Sequence, residues 1–281
     1  MKTVAIQGIK GAYHEMAARK YYEDKDVEIL SCRDFRNVID SVVKDPNIIG
    51  IIAIENTIAG SLLQNNELIR ESNLKVIGEQ KIRISHSLAV LPDKSLEDIR
   101  EINSHPIALM QCRNYLDTLP NVKIVEGEDT ASSAKRICEE NLQNHAAICS
   151  RYAAEMYGLK VIDEGIETNK RNFTRFLLLA NPWLADEMVD ESQISKSSLV
   201  FTLPHTEGSL SKVLTIFSFY DVNLTKIQSL PILGREWEYL FYVDLTFSNI
   251  LKYKQSLDAV RPLIKEFKIL GEYEENNNTN V

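Results

Sequence analysis

A hydroxyl and a guanidinium stand side by side in Asn172-Phe173-Thr174-Arg175-Phe176, between two aromatic residues and just ahead of the apolar run Leu177-Leu178-Leu179-Ala180. Such a run reads as a buried β-strand, which sets Thr174 and Arg175 at the mouth of a strand entering a core. Arg is rarely buried without an anionic partner, so the pair suits a carboxylate or phosphate site with a proton-handling hydroxyl beside it. The competing reading is a strand-end Arg paired with a structural acid. A second cluster, Glu55-Asn56-Thr57-Ile58-Ala59-Gly60-Ser61, follows a β-branched run at 48–54. A carboxylate, an amide, hydroxyls and a glycine turn at a strand's carboxyl end are the groups an α/β site recruits. The plainer alternative is a solvated loop in which Ser61 caps the next helix. In Ser104-His105-Pro106-Ile107-Ala108-Leu109-Met110-Gln111-Cys112, Pro106 fits the first turn of a helix and Ser104 or His105 its cap. Gln111 then reaches a ligand only if its face turns inward, and Cys112 doubles as an ordinary buried small hydrophobe. Asp129-Thr130 opens another helix, with either residue as its cap. His86, His145 and His205 show no metal spacing and carry no expected role.

The frame that must hold these clusters is regular. Residues 1–181 alternate short apolar strands (4–7, 48–54, 76–84, 102–103, 122–125, 146–149) with helical patterns (13–22, 34–43, 62–70, 108–116, 132–141). This rhythm predicts parallel sheets with helices on both faces, and ligands in such sheets sit at the carboxyl ends of strands. The turns after Gln7, Ile54 and Asn103 are therefore the expected site. Gly8-Ile9-Lys10-Gly11 lacks dinucleotide-loop spacing but can lead into a helix whose free N–H groups take an anion. Residues 182–196 are acidic and weakly patterned and read as a linker. Strands at 198–203, 224–229, 238–247 and 269–270, with helices at 210–220 and 250–267, then give the βαββαβ order of a ferredoxin-like fold. The polar tail 276–281 is expected to be disordered.

The chain has 281 residues and a net charge of −8, which argues against a nucleic-acid binder and requires any anion site to be locally positive. No apolar run approaches the ~20 residues of a membrane span, so no membrane association is expected. The start shows no signal-peptide pattern, and the four cysteines have no C-x-x-C spacing. The expectation is a cytoplasmic protein with free thiols.

Taken together and in order, the clusters resemble the prephenate dehydratase family, over nearly the whole chain. Gly8 to Tyr13 matches its opening glycine turn and aromatic, with His14 where Ser is more usual. Ile54-Glu55-Asn56-Thr57 with Gly60-Ser61 matches its P-I-E-N-S/T segment, with Ala53 replacing the Pro. Ser104-His105-Pro106 with Gln111-Cys112, Asp129-Thr130-Ala131, and Asn172-x-Thr174-Arg175-Phe176 match three further motifs. Residues 197–275 resemble the regulatory ACT domain that follows in this family: Gly208-Ser209-Leu210 stands for its G-A-L turn and Asn223-Leu224-Thr225-Lys226-Ile227 for its N-L-T-K-I strand. Gln228-Ser229-Leu230-Pro231 replaces the usual E-S-R-P.

The resemblance implies an α/β catalytic domain at 1–181 with two lobes around a cleft, as in periplasmic binding proteins. A linker at 182–196 and a ferredoxin-like ACT domain complete the chain. It implies decarboxylating dehydration of prephenate to phenylpyruvate with no cofactor or metal, and arogenate dehydratase as the nearest alternative. Thr174 would sit beside the leaving hydroxyl, as donor or as positioner, and Arg175 would pair with a carboxylate. Glu55 would orient Asn56 or Arg175. Asn56, Thr57, Ser61, Ser104, Gln111 and Thr130 would supply neutral donors, and Tyr13 and Phe176 an apolar wall. Gly60, Cys112 and Asn172 complete the expected substrate site. Phenylalanine would bind as effector around Gly208, Ser209, Leu210, Asn223, Leu224, Gln228 and Ser229, in a homodimer or homotetramer. A non-catalytic amino-acid sensor is the alternative from another class.

Overall fold

The computed structural model describes residues 2–232 and 234–276. Strands β1 (Lys2–Gln7), β2 (Val27–Cys32) and β3 (Ile49–Asn56) run parallel and are linked by helices α1 (Tyr13–Tyr21) and α2 (Phe35–Lys44). The first six residues of β3 are all buried, as a strand covered on both faces requires. A two-residue strand β4 (Gly60–Ser61) folds back on β3, then come α3 (Leu63–Glu71) and β5 (Lys75–Arg83). The chain next builds a second sheet from β6 (Ser87–Val90), β7 (Glu101–Ser104), β8 (Lys123–Glu126), β9 (His145–Cys149) and β10 (Lys160–Glu164). Helices α4 (Pro106–Gln111), α5 (Arg113–Leu116), α6 (Thr130–Glu139) and α7 (Arg151–Met156) connect them. It returns through β11 (Phe173–Ala180), which inserts between β3 and β5.

Two crossings between two sheets make two lobes with a cleft at the crossings, the arrangement of periplasmic binding proteins. The sheets are mixed, where the sequence pattern predicts parallel ones: β11 is antiparallel to β3 and β5, and β6 to β9 and β10. The reason is the route. β11 arrives from the second lobe, at the carboxyl ends of β3 and β5, and can only run against them. Its first residues, Phe173 and Thr174, therefore start at the cleft, opposite Arg83 and Asn56.

The expected linker is structured. Helix α8 (Pro182–Met188) is capped by Asn181, which accepts from Trp183 N at 3.2 Å, and its Ala185 is buried in the first lobe's core. Lys196, placed at the linker's end by its sequence, is 2% exposed and opens β12 (Lys196–Thr202). Helix α9 (Ser209–Phe219), β13 (Asn223–Pro231), β14 (Tyr239–Thr246), α10 (Ile250–Val260) and β15 (Lys265–Tyr273) follow. The antiparallel order β13-β14-β12-β15 is ferredoxin-like. Helix α10 ends before the predicted 267, because Arg261-Pro262-Leu263 turns the chain and 265 onward joins β15.

The third sheet shares a core with the first lobe. Val200, Leu240, Tyr242, Leu270 and Tyr273 pack with Ile52, Ile54, Val76, Leu177 and Leu179, while the opposite face packs on α9 and α10. At the closest approach Gly271 lies against Val76, where a Cβ would collide with the Val76 carbonyl. Asn276, placed at the head of a disordered tail, donates to the Glu79 carbonyl at 3.1 Å and to Gln80 at 3.0 Å. The rest of that tail, 277–281, lies outside the described residues. No helix among the described residues is long and apolar enough to cross a membrane.

Candidate active site

A cavity of about 490 Å³ fills the cleft between the two lobes. The first lobe contributes Tyr13, His14, Arg33, Asn56, Thr174 and Phe176, and the second His86, His105, Gln111 and Thr130. Six of the expected residues thus meet: Tyr13, Asn56, Gln111, Thr130, Thr174 and Phe176.

One amide organises them. Asn56 ends β3, and its Oδ1 accepts from the backbone N–H of Ile58 at 2.9 Å and of Ala59 at 2.8 Å. Two backbone donors fix which way the amide points. Its two Nδ2 hydrogens therefore donate, to Asn172 Oδ1 at 2.8 Å and to Thr174 Oγ1 at 3.0 Å, with the Phe173 carbonyl at 3.2 Å sharing one of them. The logic propagates. With Asn172 Oδ1 engaged, Asn172 Nδ2 donates to Gln111 Oε1 at 2.9 Å, crossing from first lobe to second. The same oxygen lies 2.9 Å from His86 Nε2, which must carry the proton. His86 Nδ1 then faces the Tyr13 hydroxyl at 3.3 Å, and that hydroxyl donates to the Ser85 carbonyl at 2.6 Å. Burial lowers the His86 pKa against the opposing pull of Gln111 and Glu167, which keeps the ring neutral.

Two donors of this network remain for a ligand. The Thr174 oxygen accepts from Asn56, so its own hydrogen is free to point into the cleft. Gln111 has its oxygen doubly engaged, so its NH₂ is left for the cavity. The sequence suggests no role for His86 and a ligand contact for Asn172. The structure puts Asn172, 0% exposed, behind the cavity as the link between the lobes.

Other expected residues stand back from the cavity. Thr57 Oγ1 donates to the Arg171 carbonyl at 2.9 Å and accepts from Phe173 N at 2.9 Å, pinning the start of β11. Gly60 and Ser61 form the β4 hairpin on β3. Ser104, expected as a ligand donor, donates to the Ile148 carbonyl at 2.6 Å, and Cys112 is fully buried in the second lobe's core. Arg175 is the largest departure. Its guanidinium lies on the far side of the first sheet from the cavity, against Glu79, Asp244, Glu55 and Tyr273. Thr174 and Arg175 are neighbours on one strand, and neighbours on a strand point to opposite faces. Glu55 also leaves the cleft, at 3.3 Å from Arg175.

Arg33, which the sequence does not single out, is the one Lys or Arg among the described residues that lines the cavity. It is exposed, and it has no salt-bridge or hydrogen-bond partner among the described residues. The two acids of the lining are engaged as helix caps: Asp34 accepts from Asn37 N at 2.8 Å and Asp129 from Ser132 N at 2.7 Å. His14 sits edge-on to Phe176, with ring centroids 4.9 Å apart, and burial lowers its pKa to about 4. Helix α1 starts at the cavity with no side-chain cap, leaving its first amides for an anion.

The prephenate dehydratase family model matches residues 4–183, the segment that builds both lobes and the cleft. The chain belongs to the prephenate dehydratase family. Arogenate dehydratase/prephenate dehydratase 2 of Arabidopsis thaliana is 36% identical, over 96% of this chain and 72% of that one. The prephenate dehydratase of Arthrobacter aurescens, solved in complex with L-Phe, is similar at 27% identity with a TM-score of 0.85, covering 97% of this chain and 90% of that one. GqqA, described as a novel type of quorum quenching acylase, is similar at 26% identity with a TM-score of 0.86, covering 98% and 99%. Membership of the prephenate dehydratase family places the chain among the enzymes of phenylalanine biosynthesis, with prephenate and arogenate as the substrates its relatives name.

Proposed function

We propose that the chain converts prephenate to phenylpyruvate, water and CO₂ in this cleft. The carrying observation is the free hydrogen of the Thr174 hydroxyl, fixed by the 3.0 Å bond that its oxygen accepts from Asn56. In the reaction the ring C–O bond breaks and the hydroxyl, taking up a proton from solvent, leaves as water. The bond from ring to carboxylate breaks and supplies the electron pair that completes the aromatic ring. Aromatisation drives both steps, so the enzyme has to hold a dianion and stabilise the departing oxygen. An unperturbed Thr hydroxyl is a poor acid, and Thr174 acts by orienting and hydrogen-bonding that oxygen. Arg33, the α1 amides and the Gln111 NH₂ receive the carboxylates, and Phe176 and Tyr13 wall the ring.

The third sheet is a regulatory ACT domain in this reading, and phenylalanine is its effector. A cavity of about 150 Å³ lined by Leu203, Ser209, Leu210, Tyr239 and Phe241 has the size and apolar character for a phenyl ring. Gly208 caps α9 beside it in the left-handed conformation, at φ 72°. Asn223, Leu224, Gln228 and Ser229 lie on β13, an edge strand open to a second copy of the chain, and Ser229 pairs with Phe241 of the cavity lining. The enzyme is then a homodimer or homotetramer of the cytoplasm.

The deciding assay incubates the purified chain separately with prephenate and with arogenate, and follows phenylpyruvate by its absorbance in alkali and phenylalanine by amino-acid analysis. Higher kcat/KM on prephenate supports the proposal. Higher kcat/KM on arogenate moves it to the amino analogue, and turnover of neither substrate removes it.

A further inference from the structure

The reaction as read above uses Thr174 and leaves its neighbour without a part. Arg175 is 5% exposed and is held from four strands at once, β3, β5, β14 and β15. Its Nε donates to Glu79 Oε2 at 2.6 Å, its Nη1 to Asp244 Oδ2 at 2.5 Å and to Glu55 Oε1 at 3.3 Å, and its Nη2 to the Tyr273 hydroxyl at 3.1 Å. The partners are themselves fixed. Ser198 Oγ donates to Asp244 Oδ1 at 2.5 Å and lies 2.7 Å from the Tyr273 hydroxyl, and Lys196 Nζ donates to Glu79 Oε1 at 2.9 Å. Asp244, Tyr273, Ser198 and Lys196 all belong to the third sheet. A buried ionic cluster is an expensive way to join two sheets, since apolar side chains of the same volume hold as well or better. What such a cluster adds is orientation.

Orientation matters at this point of β11. Against β3 the register shifts between Arg175 and Phe176: Arg175 pairs with Glu55 and Phe176 with Ala53, so Ile54 is unmatched. At such a bulge the ladder fixes the strand's twist weakly, and a side chain anchored on one face sets the aim of its neighbour on the other. We propose that Asp244 and Tyr273 are positioning residues for the dehydration. Through Arg175 they hold the 174–175 backbone so that the Thr174 hydroxyl meets both the Asn56 amide and the departing oxygen. The proposal rests on the reading of Thr174 given above, and it makes the ferredoxin-like unit part of the machinery that aims the reacting group.

The test measures kcat and KM for Asp244→Asn and Tyr273→Phe, each alone and on a Thr174→Ala background, with circular dichroism and melting to confirm the fold. We expect kcat to fall ~10-fold in the first and ~3-fold in the second, with KM within about twofold. Neither change should lower the residual kcat of Thr174→Ala any further, because both act through that hydroxyl. A folded Asp244→Asn with unchanged kcat overturns the proposal, and so does an equal loss in both backgrounds, which marks a merely structural role. Should Asp244→Asn not fold, Tyr273→Phe, which removes one hydroxyl, decides by the same cycle. If Thr174→Ala itself keeps wild-type kcat, the underlying reading fails. If Thr174→Ala loses kcat while both distant variants keep theirs, only the present proposal fails.

Discussion

Asn56 sets the polarity of the candidate site. Because its oxygen is spent on two backbone N–H groups, every later donor and acceptor follows, down to the neutral Nε2–H form of His86. Residues that act through such a chain are sensitive to isosteric change, and Thr174 stands at its open end. Thr174→Ala should lower kcat by ~10²-fold with KM largely kept, the loss seen when a donor to a developing charge is removed. Steady-state kinetics checks this, and near-wild-type kcat would refute it. Arg33 has the opposite profile. In the proposed reaction it would hold a carboxylate equally in ground and transition states, so Arg33→Gln should raise KM about 5-fold with kcat nearly unchanged. An unaltered KM would leave the helix amides as the anion's main partner. At this scale the sequence shows Thr174, Asn56 and Gln111 as polar groups at element ends. It hides His86 and Arg33, whose parts depend on neighbours far along the chain.

Among the elements, the insertion of β11 between β3 and β5 brings the cleft's first-lobe groups to one edge. Its apolar residues read clearly as a strand in sequence, as do those of β3 and β5, and α9 reads as a helix. Strand β2 and strand β10 show mostly exposed or half-buried positions and so lack a marked apolar pattern. Helix α7, at six residues, is too short to show a period. Arg175 is not a ligand residue for a reason local to the sequence, since a strand's period of two already turns it away from Thr174. The joint between β5 and β15 supplies an element-scale prediction. Gly271 leaves no room for a Cβ against Val76, so Gly271→Ala must push β15 away. Overpacking of this kind costs ~1–3 kcal/mol. A lowered melting temperature is expected, with kcat falling as well if the third sheet aims Thr174. A melting temperature equal to wild type would show that the sheets part at no cost.

Over the whole molecule, the charged cluster makes the docking of the third sheet dependent on pH. Asp244 and Glu79 are buried, which alone would raise their pKa values. The guanidinium of Arg175, with Lys226 facing Asp244 and Lys196 facing Glu79, more than offsets this and holds both below the usual carboxylate range. Glu55, Tyr273, Ser198 and Glu275 complete the surroundings. Carboxyls with depressed folded pKa values stabilise fully above their unfolded values, ~3.9 for Asp and ~4.3 for Glu, and lose that contribution as pH falls further. Urea midpoints should therefore hold steady between pH 7 and 5 and drop below about pH 4. Asp244→Asn should show a shallower drop, and identical acid profiles would place the acid-sensitive groups elsewhere. Phenylalanine offers a second test at this scale. Calorimetric titration should detect binding and the dehydratase assay inhibition, and no heat with no inhibition at millimolar concentration would remove the effector reading.

Order and spacing of residues alone determined the family, the α/β rhythm, the ferredoxin-like close and the placing of Thr174 at a strand mouth. These are local patterns of apolar period, turn chemistry and short polar motifs, and they survive being read one segment at a time. Tertiary structure decided the direction of β11, the structured segment between 182 and 196, and above all the company Arg175 keeps. Its acidic partners lie 69, 96 and 120 positions away in the chain. No local pattern announces a charge pair closed over such distances, because it is the packing of one sheet on another that brings those carboxylates to the guanidinium.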